Sequence, residues 1–416
     1  QWSKVLINIS KLYKEEPEKA IQFAENLTKG IQESQLITLN KELPNFTEKE
    51  VSASIYLWKS KMDTIFGGII GAPKFPSPHN LIFLLRYYKS YGEKTALNMV
   101  TKTLEKMRLG GIFDHVGFGF HRYSTDQNWF LPHFEKMLYD QAMISIAYLE
   151  AYEATKDKTL AKTAEQIFTY VIRDMMKKNG GFFSAEDADS EGAEGVYYCW
   201  RKNEIKKILK TDFHWVKDFF GIYEDEVWEN GLFILQRKQA LIDVAEKQNW
   251  TIAEAKEHLS RVKNILFLQR VKRIRPIIDT KSLTSWNALL IKAFVHAYIA
   301  FEEELYLEEA KEISNWIIQH QTTSDYCLHH NFVNGESSID GFLEDYAFTI
   351  DAFILLYQAT GELIYLNYAK NFLEKVELDF SSKKQELFYF SMHWQLIQAI
   401  GPSLKESYSI FHKDDW

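Results

Sequence analysis

The sequence predicts an all-α fold in which antiparallel helical hairpins close into an (α/α) toroid around a central cavity, interrupted by one small β-containing insertion. Three observations lead there: few turn residues, helical periodicity, and a fourfold internal repeat. Among 416 residues there are only 19 Gly and 8 Pro, against roughly 29 and 21 at average usage. Folds that turn a hairpin every few residues need more of both, which disfavours a β-sandwich or β-propeller. With 46% hydrophobic and 15% aromatic residues, the chain can bury enough apolar surface to offset the entropy of ordering, which excludes disorder.

Apolar residues recur at i, i+3, i+4 and i+7 through residues 80–91, 134–155 and 342–360, the spacing of an amphipathic helix. Four stretches share an aromatic-rich helix, a short polar turn and a second helix: RYYKSYGEKTALNMVTKTL, LEAYEATKDKTLAKTAEQIF, HAYIAFEEELYLEEAKEISNWI and LLYQATGELIYLNYAKNFL. With Tyr91, Thr155, Phe301 and Thr360 as equivalent anchors, the residue nine further on is Val100, Ala164, Ala310 and Ala369, small and apolar each time. Two of the three intervals between anchors suit one hairpin each. The third is more than twice as long, so it holds an insertion, residues 180–276. Candidate β pieces there are 181–185, 195–200 and 232–235, among short helices at 203–209 and 251–268. Helices at 17–31, at 48–61 and near His393 bring the total to five or six hairpins, read as a single toroid domain over residues 1–416. An open superhelical stack is the alternative, disfavoured by the irregular repeat and the long loops.

Lys and Arg number 49 against 57 Asp and Glu, a net charge of −8. No basic stripe is present to release phosphate counterions, so nucleic acid is not an expected partner. No run reaches the ~18 apolar residues of a membrane span. Cys199 and Cys327 form neither a CxxC pair nor a metal-ligand spacing, which fits packed thiols in a reducing, cytoplasmic compartment. No metal and no cofactor is expected. Gln1 falls inside an apparent helix, so a start within a longer product is expected.

Gly, His, Trp and carboxylates concentrate in the loops between helices, where sites are usually built. The first cluster, GGIIGAPKFPSPHN at 67–80, lacks the Gly-Lys-Ser/Thr of a phosphate loop; it reads as a structural turn, with Lys74 a candidate for the cavity. The second, GGIFDHVGFGFHRYSTDQNWFLPHFEKMLYDQA at 110–142, carries Asp114, His115, His121, Arg122, Tyr123, Trp129, His133, Glu135, Lys136, Tyr139 and Asp140. That density exceeds what packing needs, and imidazoles suit proton transfer near pH 7. A helix beginning near Phe134 would place Glu135 with Tyr139, and Lys136 with Asp140, on common faces. The bland reading of Lys136 and Asp140 is a solvated ion pair. The third, GGFFSAEDADSEGAEGVYYCW at 180–200, offers five carboxylates, Glu186, Asp187, Asp189, Glu191 and Glu194, between strand-like flanks that would aim its acids inward. It mimics part of a calcium loop but has Tyr198 where the closing Glu belongs, and a surface acidic loop is the plain alternative. The fourth places Ser285, Trp286 and Asn287, and again Glu344, Asp345 and Tyr346, at the starts of long apolar helices. Capping explains part of this, yet in a toroid these ends form the rim of the cavity.

The second and third clusters, followed by LTSWNALLIKAF and LEDYAF, resemble the family called thioredoxin-domain-containing or spermatogenesis-associated protein 20-like, over about residues 66–357. The resemblance implies a thioredoxin-like domain followed by an (α/α)6 toroid of the six-hairpin glycosidase type, likened also to N-acylglucosamine 2-epimerases. The thioredoxin-like part with its Cys motif is absent from this sequence, and residues 388–416 lack the family's distal Asp-Gly and Pro-Ser-x-Asn-Ser motifs. The family has no firmly assigned reaction, so what the resemblance implies is chiefly fold.

A carbohydrate-active protein is the leading expectation, because sugars need aromatic faces for C–H surfaces and charged groups for hydroxyls. Hydrolysis requires two carboxylates, one from Asp187 or Asp189 and one from Glu135 or Glu344. Epimerisation or isomerisation requires two proton-transfer groups, for which His115, His121 and His133 are candidates. Lys74, Arg122, Tyr123, Trp129, Tyr139, Asp140, Trp286, Asn287, Asp345 and Tyr346 are the candidate substrate-binding residues. The alternative is a noncatalytic module that binds a ligand or client for a thioredoxin-like domain, with which contact is expected.

Overall fold

The computed structural model describes residues 2–35, 47–178, 180–381 and 388–390. The chain divides into two compact units, Gln1–Ser52 and Ala53–Trp416. In the first, α1 (Trp2–Glu15) and α2 (Pro17–Gln35) pack against each other. Helix α3 (Glu48–Lys61) runs across the division.

The second unit opens with two hairpins, α4 (Pro78–Tyr91) with α5 (Lys94–Leu109) and α6 (Leu138–Thr155) with α7 (Lys158–Tyr170). The next stretch carries α8 (Lys202–Leu209), α9 (Phe213–Phe220), α10 (Leu241–Gln248) and α11 (Ile252–Arg270). Two further hairpins follow, α12 (Thr284–Phe301) with α13 (Glu304–Trp316) and α14 (Leu343–Thr360) with α15 (Leu363–Asp379). The first helices pack in succession, α4 on α6, α6 on α12 and α12 on α14, and their hairpin partners back them. This is the two-layered arrangement of an (α/α) toroid. The inner helices α6 and α12 are the most fully covered, each burying eleven of eighteen residues, whereas the outer α15 buries four of seventeen. A helix apolar around most of its circumference must be covered on most sides.

The repeat anchors Tyr91, Thr155, Phe301 and Thr360 are the last residues of α4, α6, α12 and α14. Each is followed by a left-handed residue, Gly92, Lys156, Glu302 and Gly361, with φ between 57° and 71°. Their N–H groups return to the carbonyls of Tyr88, Tyr152, Tyr298 and Tyr357, closing orphan acceptors at each helix end. An acid comes next every time, and the carboxylates of Glu93 and Asp157 accept the N–H groups of Thr95 and Thr159. Val100, Ala164 and Ala310 are fully buried and Ala369 nearly so: the second helix approaches its partner at these points, where a longer side chain has no room.

Two expectations need revision. The helix expected from Phe134 starts at Leu138, because Lys136–Met137 is a strand that pairs with Ala185–Glu186, itself paired with Ile278–Asp279. The insertion is more helical than its sequence suggested: α9 and α10 were not anticipated. Its aromatic residues Trp200, Trp215, Phe219 and Phe220 pack with Val262 and Leu266 of α11 into a separate core, joined to the preceding loop by Val116. The helix expected near His393 lies outside the described residues.

Lys156 and Glu302 occupy left-handed positions where two of the four repeats already use Gly. A side chain there costs about 1–2 kcal/mol, partly offset by the entropy that Gly adds to the unfolded chain. Lys156→Gly and Glu302→Gly are each expected to stabilise the chain by roughly 0.5 kcal/mol in urea unfolding, and Gly361→Lys to destabilise it.

Candidate functional site

The loop after α5 is organised around one carboxylate. Asp114 is 6% exposed; its Oδ1 accepts from the backbone N–H groups of Val116 (3.0 Å) and Gly117 (2.9 Å) and from Arg270 Nη1 (2.7 Å), and its Oδ2 from Lys136 Nζ (2.8 Å). Burial opposes its ionisation, but the Arg270 and Lys136 cations on either side hold its pKa well below the usual carboxylate range. Lys136 Nζ also donates to the Phe118 carbonyl at 2.8 Å and lies over the rings of Tyr170 and Tyr198 at 4.4 and 4.8 Å. The Tyr170 hydroxyl donates to Glu186, whose carboxylate is gripped by Arg275, which also reaches Asp174.

This network fixes which residues face outward. Burial alternates residue by residue from Pro132 to Leu138 in this extended stretch, so with Lys136 turned inward, Glu135 turns toward the surface. There Glu135 Oε2 takes Arg122 Nη1 at 3.0 Å and lies 3.2 Å from His133 Nε2. His133 Nδ1 is 2.7 Å from Glu194 Oε1, and Tyr123 stacks between Phe75 and His133 at 4.8 and 5.1 Å. Arg122 also engages the Tyr139 hydroxyl, and the Tyr139 ring meets Trp286 edge-on at 4.8 Å. Beside Tyr139 in the first turn of α6, Asp140 is 6% exposed and its Oδ2 has no partner among the described residues. Burial pushes its carboxyl up to about 8, with Arg122 opposing and Glu135 adding.

The row continues along the next inner helices. On α12, Ser285 N–H donates to Asp345 Oδ1 of α14 at 2.9 Å, and the Ser285 hydroxyl is itself buried without a partner among the described residues. Asp345 Oδ2 accepts from Phe342 N–H at 2.8 Å and lies 2.9 Å from His330 Nδ1, a bond that raises the His330 pKa. The neighbouring Glu344, half-buried, is raised by burial and by Asp345. A belt of titratable and aromatic groups, most of them half-exposed but with Asp140 and Asp345 buried, therefore follows the starts of α6, α12 and α14.

Arg122, Tyr123, His133, Glu135, Tyr139, Asp140, Trp286, Glu344 and Asp345 lie in this belt. The other candidates lie elsewhere. His115 and His121 are 4% and 1% exposed, bonded to the carbonyls of Gly110 and Phe134 at 2.9 Å each, and line a void of about 20 Å³, room for one water. Burial drops both imidazoles to about 3. They are packing histidines. Asp187 and Asp189 face solvent, and the acid aimed inward from that hairpin is Glu186. Lys74 is buried against Asp63 Oδ2 and the Gly67 carbonyl, 2.9 Å each, beneath Trp129, whose indole donates to Phe66 O. Asn287 bonds Phe182 N–H and O, and the Tyr346 hydroxyl accepts Leu328 N–H, so both brace the backbone. Instead of a solvated pair with Asp140, Lys136 forms a buried one with Asp114. Glu194, one of the acids of the third cluster, also joins the belt, as does His330, which no cluster contains. His330 stands fifteen residues from the acid it meets, and the hairpin pairing 329–333 with 336–340, just before α14, brings it there.

No family model matches the chain. It is 35% identical to an uncharacterized Caenorhabditis elegans protein over 358 residues, 77% of this chain and 49% of that protein. Against human spermatogenesis-associated protein 20 it is 29% identical over 404 residues, 88% of this chain and 51% of the relative. The chain is a homologue of spermatogenesis-associated protein 20. It spans about half the length of these curated relatives. Among solved structures, a GH76 α-mannanase of Bacteroides thetaiotaomicron matches with a TM-score of 0.50 at 12% identity, covering 87% of this chain and 79% of the mannanase. At that identity the likeness speaks of the fold, which is of the (α/α)6 toroid type. No described helix is long and apolar enough to cross a membrane.

Removing the Asp114 carboxylate leaves two buried cations unpaired, so Asp114→Ala is expected to cost about 3–5 kcal/mol in chemical unfolding. A second expectation concerns acid. Unfolded histidine takes a proton near 6.5, whereas folded His115 and His121 stay neutral to about 3. The unfolded state binds more protons in that window, so stability falls as pH drops through it. Melting temperatures followed from pH 7 to 4 are expected to decline less steeply in His115→Gln and His121→Gln than in the parent.

Proposed function

We propose that the belt at the starts of α6, α12 and α14 binds a sugar-like polyol and acts on it by acid/base chemistry, with Asp140 as proton donor. The observation that carries this reading is the state of Asp140. A buried carboxyl raised to about 8 holds its proton at neutral pH, and its unpartnered Oδ2 stands beside the Arg122–Glu135 pair. General acids are tuned upward by burial in this way. Half-buried Tyr139 and Trp286 offer apolar faces for sugar C–H groups, and Arg122, Glu135 and His133 offer hydrogen bonds to hydroxyls. Kinship in fold to a mannanase supports the ligand class. In hydrolysis, the Asp140 proton passes to the departing oxygen as the C–O bond breaks, and a second carboxylate takes a proton from the attacking water. In epimerisation, an imidazole or carboxylate across the sugar exchanges the proton next to the carbonyl.

A panel of mono- and disaccharides followed by NMR in deuterated water reads both outcomes, as cleavage or as C2 proton exchange. Asp140→Asn is expected to lower turnover by about 10²-fold or more while a sugar-induced rise in melting temperature persists. Activity is expected to fall as pH rises through about 8. Ligand-free stability tests the same group: between about 4 and 8 the folded state holds a proton that the unfolded state has lost, so stability declines with rising pH, and Asp140→Asn is expected to flatten that decline. If no sugar is turned over and none raises the melting temperature, the proposal fails.

A further inference from the structure

Away from the belt, a cleft of about 1160 Å³ runs along the outer helix α7, between the ends of α5, α6 and α12 and the insertion helices α10 and α11. Seven of its lining residues are Lys or Arg and one, Glu165, is acidic, although acids outnumber bases in the chain. Glu165 is engaged by Lys162 at 2.7 Å, and Arg173 by the adjacent Asp174. Of the other five, Lys158 and Lys256 are exposed to solvent, and three have no such relief. Arg108, Arg237 and Lys263 make no ion pair with any described residue. Among the described residues the Arg108 Nε is buried without a hydrogen-bond partner, Arg237 donates to the Gln239 carbonyl at 3.3 Å and lies over the Phe219 ring at 5.3 Å, and the Lys263 ammonium lies over the Phe118 ring at 5.6 Å.

These groups repel one another. Burial, then Arg108, Arg237 and Lys162, brings Lys263 down to about 7, with Asp114 opposing; burial and Arg108 bring Arg237 to about 10. Nearby carboxylates are committed elsewhere: Asp114 to Lys136 and Arg270, and Asp157 to the N–H of Thr159. Gathering desolvated like charges is costly unless a counter-charge arrives. Two guanidinium forks and one ammonium match a phosphate, which accepts bidentate Arg bonds and a Lys point charge. The volume far exceeds one inorganic anion, and Phe118, Leu241, Leu259, Phe267 and Phe301 supply an apolar wall.

We propose that this cleft binds a phosphorylated small molecule, its phosphate seated among Arg108, Arg237 and Lys263 and its organic part against the apolar wall. The test uses the full chain at low ionic strength, where such attraction is least screened, with pyrophosphate, ADP and adenosine as probes in calorimetry and thermal melting. Pyrophosphate and ADP are expected to raise the melting temperature, ADP to bind more tightly, and adenosine to do neither. Lys263→Met is expected to weaken ADP binding about tenfold or more while the ligand-free melting temperature holds or rises, since a repelling charge is gone; a merely structural lysine would lower it. At pH 8, ADP binding is expected to draw a proton onto Lys263, seen as heat that varies with the ionisation enthalpy of the buffer. The proposal is overturned if neither pyrophosphate nor ADP shifts melting at about 10 mM, if adenosine matches ADP, or if Lys263→Met and Arg237→Gln bind ADP like the parent.

Discussion

The geometry of the candidate site depends on the buried contact of Asp114 with Lys136 and Arg270. These residues come from the loop after α5, the strand before α6 and the end of α11, so one carboxylate ties the ring to its insertion. An ion pair in so dry a place contributes little net stability, because desolvation consumes the Coulomb gain, but it is costly to break. Its effect is on register. Lys136 turned inward obliges Glu135 outward, and the pairing of Lys136 with Glu186 puts Asp187 outward in turn. Gly117 shows how tightly the loop wraps the triad: a β-carbon there would sit 1.7 Å from Arg270 Nη2, so any side chain would displace the guanidinium from Asp114.

The ring was legible because its signal repeats. Four copies of one hairpin place their anchors on four helix ends, and the small residues nine positions on are buried in every copy, so chance agreement is small. The belt was legible only as a neighbourhood. Residues 110–142 were marked by their density of titratable groups, which is real, but density does not say which member faces in. The strands that decide it are two residues long, too short for a period-2 pattern to be read. His115, His121 and Lys136 were thus ranked beside Glu135 and Arg122, although burial and backbone bonds make them scaffold. Asp140 reads from the sequence as a ligand contact only, because its raised pKa comes from burial that only the packed ring supplies.

The same packing sorts the charges of this chain into two kinds. Asp114 meets two cations and two backbone donors, and Glu186 meets Arg275 and Tyr170; for these, the fold itself repays the desolvation. Asp140 Oδ2 and Arg108 Nε are buried just as deeply with no described partner. A shortage of counter-charges is not the reason, since 57 acids and 49 bases are available. Both orphans border regions already rich in their own sign of charge or in half-exposed polar groups, one at the starts of the inner helices and one along α7. Buried polar atoms left unpaired cost about 1–3 kcal/mol each; eleven such side-chain atoms occur among the described residues, and what marks these two is the charged company each keeps, Arg122 and Glu135 beside Asp140 and Arg237 and Lys263 beside Arg108.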